Sequence, residues 1–170
     1  MDVALRPATP ADEPCLWAML YEAAHAADDG MAGPDDLRAL PELARYVEGW
    51  GRPSDLGVIA VRQAEPAAGE VGAAWVRLLA GAQAGYGHVD DDTPELAIAV
   101  RPGGRARGAG RLLLEGVLAA ARPRFPGVSL SVRADNPARR LYERAGFRPV
   151  EAGEVVNRVG GTSVTMVLRF

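Results

Sequence analysis

The sequence predicts a mixed α/β fold, with one mixed sheet and helices on both of its faces. Three observations point there. Strand-like and helix-like stretches follow one another as β-α-α-β-β-loop-β-α-β-α-β-β, an order that layers helices on a sheet. Residues 94–121 read as a buried strand, a glycine- and arginine-rich turn and a helix, a strand-to-helix unit with clear punctuation. The chain has 170 residues, 48% hydrophobic and 24% charged, which suits one ordinary globular domain over 1–170.

Taken in order, residues 2–6 alternate weakly and form a first strand, stopped by Pro7. Pro10-Ala11-Asp12 opens a helix over about 11–28, with Leu16, Met19, Leu20 and Ala23 on one side, and Asp28-Asp29-Gly30 breaks it. A second helix is expected from Pro34 to Val47, where Leu37, Leu40, Leu43, Tyr46 and Val47 recur at three- and four-residue steps. Pro41 either divides it or begins its second half. Leu56–Val61 and Val71–Leu78 form a hairpin around the turn 65–70. Leu79–Thr93, with Gly81, Gly85, Gly87 and the run Asp90-Asp91-Asp92, is too long for a tight turn and lacks helical periodicity, which marks a functional loop. Glu95–Val100 is the next strand, followed by a helix carrying Leu112, Leu113, Leu114, Val117 and Leu118 to about Ala121. Val128–Val132 alternates as a strand. Asn136 caps a helix through Ala138, Leu141, Tyr142 and Ala145, which Gly146 ends. Phe147–Val150 and Val164–Leu168 are the final strands.

Composition excludes several classes of function. The 19 basic residues are all arginine, and against 22 acidic ones they leave a net charge of -3, so nothing attracts the whole chain to nucleic acid. No stretch approaches 18 uninterrupted apolar residues, so no membrane span is expected. Cys15, the single cysteine, cannot form an internal disulfide, and its flanks suit a helix core position. The first residues lack a basic-then-apolar signal segment, and with the lone cysteine this predicts a cytoplasmic protein. The histidines, His25 and His88, have no metal-ligand spacing; no metal site is expected, and His25 reads as a surface or packing residue.

The turn at 101–110 carries the chemistry. Pro102 blocks continuation of the strand, and Gly103, Gly104, Gly108 and Gly110 remove side chains where the helix begins. Unpaired amides at a helix start attract anions. Arg105, Arg107 and Arg111 oppose the helix dipole there, at about 0.3–1 kcal/mol each when exposed. Such a placement makes sense with a polyanion bound, although a solvated glycine turn has the same composition. A nucleotide-triphosphate loop would need Lys-Ser or Lys-Thr after Gly110, where Arg111-Leu112 stands. A dinucleotide loop would need a glycine at Leu113.

Arg105-Ala106-Arg107-Gly108-Ala109-Gly110, led in by Val100-Arg101-Pro102, resembles the coenzyme-A loop of the GCN5-related N-acetyltransferases (the GNAT family). Asn136-Pro137-Ala138 and Leu141-Tyr142-Glu143-Arg144-Ala145-Gly146-Phe147 resemble the family's second motif, in the right order and at the right separation. Ala106 stands where many members have glycine, and Arg139 where the commoner spacing has alanine. The resemblance covers nearly the whole chain. It implies the GNAT, or acyl-CoA N-acyltransferase, fold as a single N-acetyltransferase domain. Acetyl-CoA (CoA) would be the cosubstrate, with no metal, and a small-molecule or peptide amine the acceptor. No nucleic-acid or membrane partner is implied, and a homodimer stays open.

By the same resemblance, Arg105, Ala106, Arg107, Gly108, Ala109, Gly110 and Arg111 cradle the pyrophosphate. Main-chain groups of Ala97, Ile98, Ala99 and Val100 bond the pantetheine arm where strands 96–100 and 128–132 splay, and an amide near Ala99 or Val100 polarises the thioester carbonyl. Asn136 and Arg139 lie on the coenzyme side. Tyr142 is the expected general acid for the departing thiolate, protonated at neutral pH because a phenol titrates near 10. Glu95 is the expected base, with His88, Asp90, Asp91 and Asp92 as alternatives. The acidic run, if it faces the cleft, favours a cationic acceptor. Tyr21, Tyr46 and Trp50 are candidates for the acceptor pocket, with ordinary packing as the other account. A non-catalytic acyl-CoA sensor and transfer to oxygen or of a longer acyl group remain as alternatives.

Overall fold

Alternation along the central strands decides which helices cover which face. In β2 (Leu56–Arg62) and β3 (Glu70–Arg77), Val58, Ala60, Ala74 and Val76 enter one buried cluster, while Ile59, Ala73 and Trp75 enter another on the opposite face. Successive strand residues point to opposite faces, so both faces of these strands must be covered. The computed structural model describes residues 2–64, 69–105 and 108–170.

Seven strands form one sheet in the order β1-β2-β3-β4-β5-β7-β6. The remaining strands are β1 (Val3–Pro7), β4 (Glu95–Val100), β5 (Gly127–Arg133), β6 (Arg148–Val156) and β7 (Thr162–Arg169). Neighbours pair antiparallel except β4 and β5, which run parallel. The helix α1 (Glu13–Ala23) and two four-residue helices, α2 (Asp35–Arg38) and α3 (Pro41–Ala44), cover one face. The other face carries α4 (Ala109–Ala121) and α5 (Arg139–Ala145). Leu113, Leu114, Val117, Leu118 and Ala121 are the stripe that buries α4, at the three- and four-residue steps of a helix packed on a sheet.

Some boundaries differ from the sequence reading. The first helix ends at Ala23, after which residues 24–30 form successive turns and His25 takes a left-handed φ of 53°. The stretch 34–47 is not one helix: Pro41 lacks an amide proton, and the chain breaks at Leu40 (φ -110°, ψ 95°) before restarting. Strand β6 runs far past Val150, on the exposed sheet edge, with a register irregularity between Pro149 and Glu154. An exposed, bulged edge has no hydrophobic alternation by which to be read. Most of the turn between β2 and β3, residues 65–68, lies outside the described residues.

Candidate active site

The site begins where two strands stop pairing. β4 and β5 share one register pair, Glu95 with Ser129, closed by the Ser129 amide donating to Pro94 O at 3.0 Å. Beyond it the strands part, so the edge of β4 that faces β5 has no strand partner from Leu96 onward. A cavity of about 510 Å³ fills the fork, walled by residues 96–100 of β4 and 130–133 of β5. Arg105 and Gly110 close it toward α4, and Asn136, Leu141 and Tyr142 toward α5.

The coenzyme-side expectations largely meet here. Ala97, Ile98, Ala99, Val100, Arg105, Gly110, Asn136 and Tyr142 all line the cavity. Gly108 is the N-cap of α4 with φ 75°, a left-handed conformation that favours glycine. Ala109 is buried at the first position of that helix. Arg105 donates to Glu22 at 2.8 Å and to Val100 O at 3.2 Å, which pins the turn onto β4 and α1. The side chains of Arg111 and Arg139 each bond the carboxylate one helical turn on, Glu115 at 2.7 Å and Glu143 at 3.1 Å, and neither residue lines the cavity. Ala106 and Arg107 lie outside the described residues. Asn136 accepts from the Ala138 amide at 2.9 Å, turning the chain into α5, and its Nδ2 lies 3.3 Å from His25 Nε2.

Tyr142 has its ring in the core, edge-on to Phe147 at 6.0 Å, and lines the cavity. No hydrogen bond to its hydroxyl occurs among the described residues. Burial pushes its pKa up to about 12, so the proton stays on the phenol at neutral pH.

Glu95 sits behind the cavity wall. Its carboxylate accepts from the Tyr46 hydroxyl at 2.9 Å, the Gly85 amide at 2.9 Å and the Gly87 amide at 2.7 Å. Desolvation raises its pKa, and these donors act against the rise. Tyr46 lines the cavity, and its oxygen accepts from the Tyr86 amide at 2.9 Å, so the phenol stands between Glu95 and the open space. Burial, then the Glu95 charge, raises the Tyr46 pKa well above its ordinary value. The glycines are required: a Cβ on Gly85 would lie 2.5 Å from Glu95 Oε1, and one on Gly87 would lie 2.6 Å from the Leu130 carbonyl carbon.

Other expectations are corrected by geometry. The acidic run does not face the cavity: Asp90 accepts from Arg169 at 2.9 Å, Asp91 lies 3.0 Å from His88, and none of 88 or 90–92 is in the wall. It therefore offers a cationic acceptor no contact in the cavity wall. Tyr21 donates to Met31 O at 2.6 Å and Trp50 to Thr9 O at 3.1 Å; both pack under α1–α3, and of the three aromatic candidates only Tyr46 reaches the cavity. Cys15 is a core thiol whose pKa burial raises to about 12. The sequence reading missed Tyr86, Arg133 and Arg158 and took His25 as a surface or packing residue, yet all four line the cavity. The signal for the first was the Gly85-Tyr86-Gly87 step just before Glu95. Among the described residues there is no metal-ligand cluster and no helix long and apolar enough to cross a membrane.

Comparison with known proteins gives the family. Residues 61–170 match the model of the acetyltransferase (GNAT) domain. No curated protein matches the chain by sequence. Among solved structures, a putative GNAT-family acetyltransferase from Bordetella pertussis is 22% identical with a TM-score of 0.70, over 98% of this chain and 94% of its own. A spermidine N-acetyltransferase chimera from Vibrio cholerae and its human counterpart is 17% identical with a TM-score of 0.67, over 99% and 96%. A putative acetyltransferase from Salmonella typhimurium, solved with acetyl-CoA, is 18% identical with a TM-score of 0.66, over 99% and 94%. At these identities the likeness is one of fold.

Proposed function

The chain belongs to the GNAT acetyltransferases, and from that premise we propose that it transfers an acetyl group from acetyl-CoA directly to a primary amine. The observation that carries the reading is the fork between β4 and β5, with an unpartnered strand edge on one side and Tyr142 in its wall. A pantetheine arm carries amides that could pair with that edge as a short extra strand. The start of α4 at Gly108 offers free amides to a pyrophosphate, with Arg105 beside them. The structural neighbour from Salmonella typhimurium was solved with acetyl-CoA, which agrees with this assignment.

Acetyl-CoA would supply the activated acyl group, and the chain would supply position and protons. Amine and thioester held together in the fork gain most of their rate from proximity. The Tyr142 hydroxyl donates its proton to the sulfur as the C–S bond breaks. Glu95 takes the amine proton through Tyr46: the phenol oxygen accepts it while the phenol proton passes to Glu95 Oε1, 2.9 Å away. A carboxylate whose pKa burial has raised is a stronger base than one in water.

The test pairs a calorimetric titration of acetyl-CoA with a thiol-release assay over amines. Binding together with amine-dependent thiol release is expected. Binding without turnover of any amine would make the domain an acyl-CoA-binding module; no binding would end the proposal.

A further inference from the structure

Within the reading just given, the acceptor end of the cavity carries its own charge pattern. In β5, Leu130 and Val132 enter the core under α4 and α5, so Ser131 and Arg133 alternate to the face that carries α1–α3. Tyr142 belongs to the first of these faces, and Tyr46, Leu20 and Leu43 to the second. The fork joins the two, which puts the coenzyme on the α4–α5 side and the acceptor on the α1–α3 side.

On that acceptor side two guanidinium groups share one carboxylate. Arg133 Nη2 donates to Asp29 at 3.1 Å and to Ala24 O at 3.2 Å. Arg158 Nη2 donates to the same Asp29 oxygen, and to Ala24 O at 3.3 Å. The Asp29 side chain is 7% exposed, whereas the arginine side chains keep 26% and 21% exposure and both arginines line the cavity. Among the described residues each guanidinium is bonded through Nη2 alone, which leaves Nε and Nη1 of both free to donate. Arg158 is carried on a firm turn: Asn157 Oδ1 accepts from the amides of Val159 at 3.2 Å and Gly161 at 3.0 Å. The other charged pair in the wall, Arg105 with Glu22, is already neutralised. The Arg133–Arg158–Asp29 cluster thus carries one net positive charge, in donors whose fork geometry suits a planar or tetrahedral anion.

We infer that the acceptor is an amine that also carries an anionic group, a carboxylate or a phosphate, and that Arg133 and Arg158 bind that group. A polyamine would meet like charge there. The inference rests on the acetyl-transfer reading only for the word acceptor, because anion recognition can be measured without turnover.

The experiment titrates the coenzyme-A-loaded protein calorimetrically with matched probes: amino acids and ω-amino acids, their carboxamides, ethanolamine phosphate, and spermidine. Thiol release with acetyl-CoA is measured on the same panel. A carboxylated or phosphorylated amine is expected to bind roughly 10–100-fold more tightly than its uncharged counterpart, the size of a charge-assisted bond or two. Phosphate and carboxylate probes separate the two anions. Arg158→Gln should remove most of this preference while leaving coenzyme-A affinity unchanged, and Arg158→Lys should restore part of it. Asp29→Asn keeps both arginines and should retain or increase the preference even if it melts earlier. Anion preference without turnover would support the inference and overturn the enzymatic reading. Turnover of spermidine or carboxamides at rates equal to the acids, no binding by any probe, or a preference untouched in folded Arg158→Gln would overturn the inference.

Discussion

Burial acts on Tyr142 and Glu95 in the same direction, and under the proposed mechanism this suits them to opposite duties. Both pKa values rise, so the phenol keeps its proton and the carboxylate becomes a better proton acceptor. Tyr142→Phe keeps the ring against Phe147 and should leave acetyl-CoA affinity unchanged. It should lower kcat by roughly 10²–10⁴-fold with little change in acceptor KM, because the proton is needed only in the transition state. Equal kcat values in steady-state kinetics would remove Tyr142 from the mechanism. In the role proposed for Glu95 the working form is the carboxylate. Its activity should therefore fall as pH drops through a pKa above the ordinary 4.5, and Glu95→Gln should lose that limb along with most of kcat. The stability sign runs the other way. A raised folded pKa means that Glu95 contributes stability below its unfolded pKa, and that this contribution is lost as pH rises through the folded one. Ionising this buried carboxylate thus costs the fold something that Tyr46, Gly85 and Gly87 partly offset.

Among the elements, the loop before β4 holds Glu95 and the turn after β4 is the proposed coenzyme site, and single glycines separate the two roles. A methyl group on Gly85 would overlap the Glu95 carboxylate and the Tyr46 hydroxyl. Gly85→Ala should therefore lower kcat while acetyl-CoA affinity stays near that of the parent. Gly108→Val must hold φ near 75° with a β-branched side chain at the start of α4, and should do the reverse, with coenzyme affinity falling sharply in a protein that still folds. Calorimetry and kinetics on both variants separate the roles; equal coenzyme affinity in Gly108→Val would sink the second. The β4–turn–α4 unit was legible in the sequence because each of its breaks has a local cause, Pro102 and the glycines, and its buried faces have a clear period. Glu95 was legible as a position but not as a niche, since its partner Tyr46 is 49 residues away and no local pattern links them. Asp90-Asp91-Asp92 was open in the sequence to two readings, a solvated turn or a run facing the cleft, and the fold sets Asp90 against Arg169. Arg133 and Arg158 were lost among 19 arginines, because only folding brings both to Asp29.

At the scale of the whole molecule, the sheet is two halves hinged at one pair. β1–β4 form one antiparallel block, β5, β7 and β6 the other, and the register between them is the pair Glu95 with Ser129. A ligand seated in the fork touches both halves and can bind well only when both are folded and aligned. Acetyl-CoA should therefore stabilise the chain as one unit rather than its coenzyme-side half alone. At a free concentration of 100 times Kd, mass action adds about 2.7 kcal/mol, which for a chain of this size corresponds to a rise in Tm of roughly 5–11 °C. The shift should appear in a single sharpened calorimetric transition and should be lost in Gly108→Val, whose own Tm need not fall far. It should persist in Tyr142→Phe, because that variant keeps the binding surface and loses only a proton donor. Two resolved transitions, with only one moved by acetyl-CoA, would mean that the halves fold independently and that the fork is not bridged by the ligand.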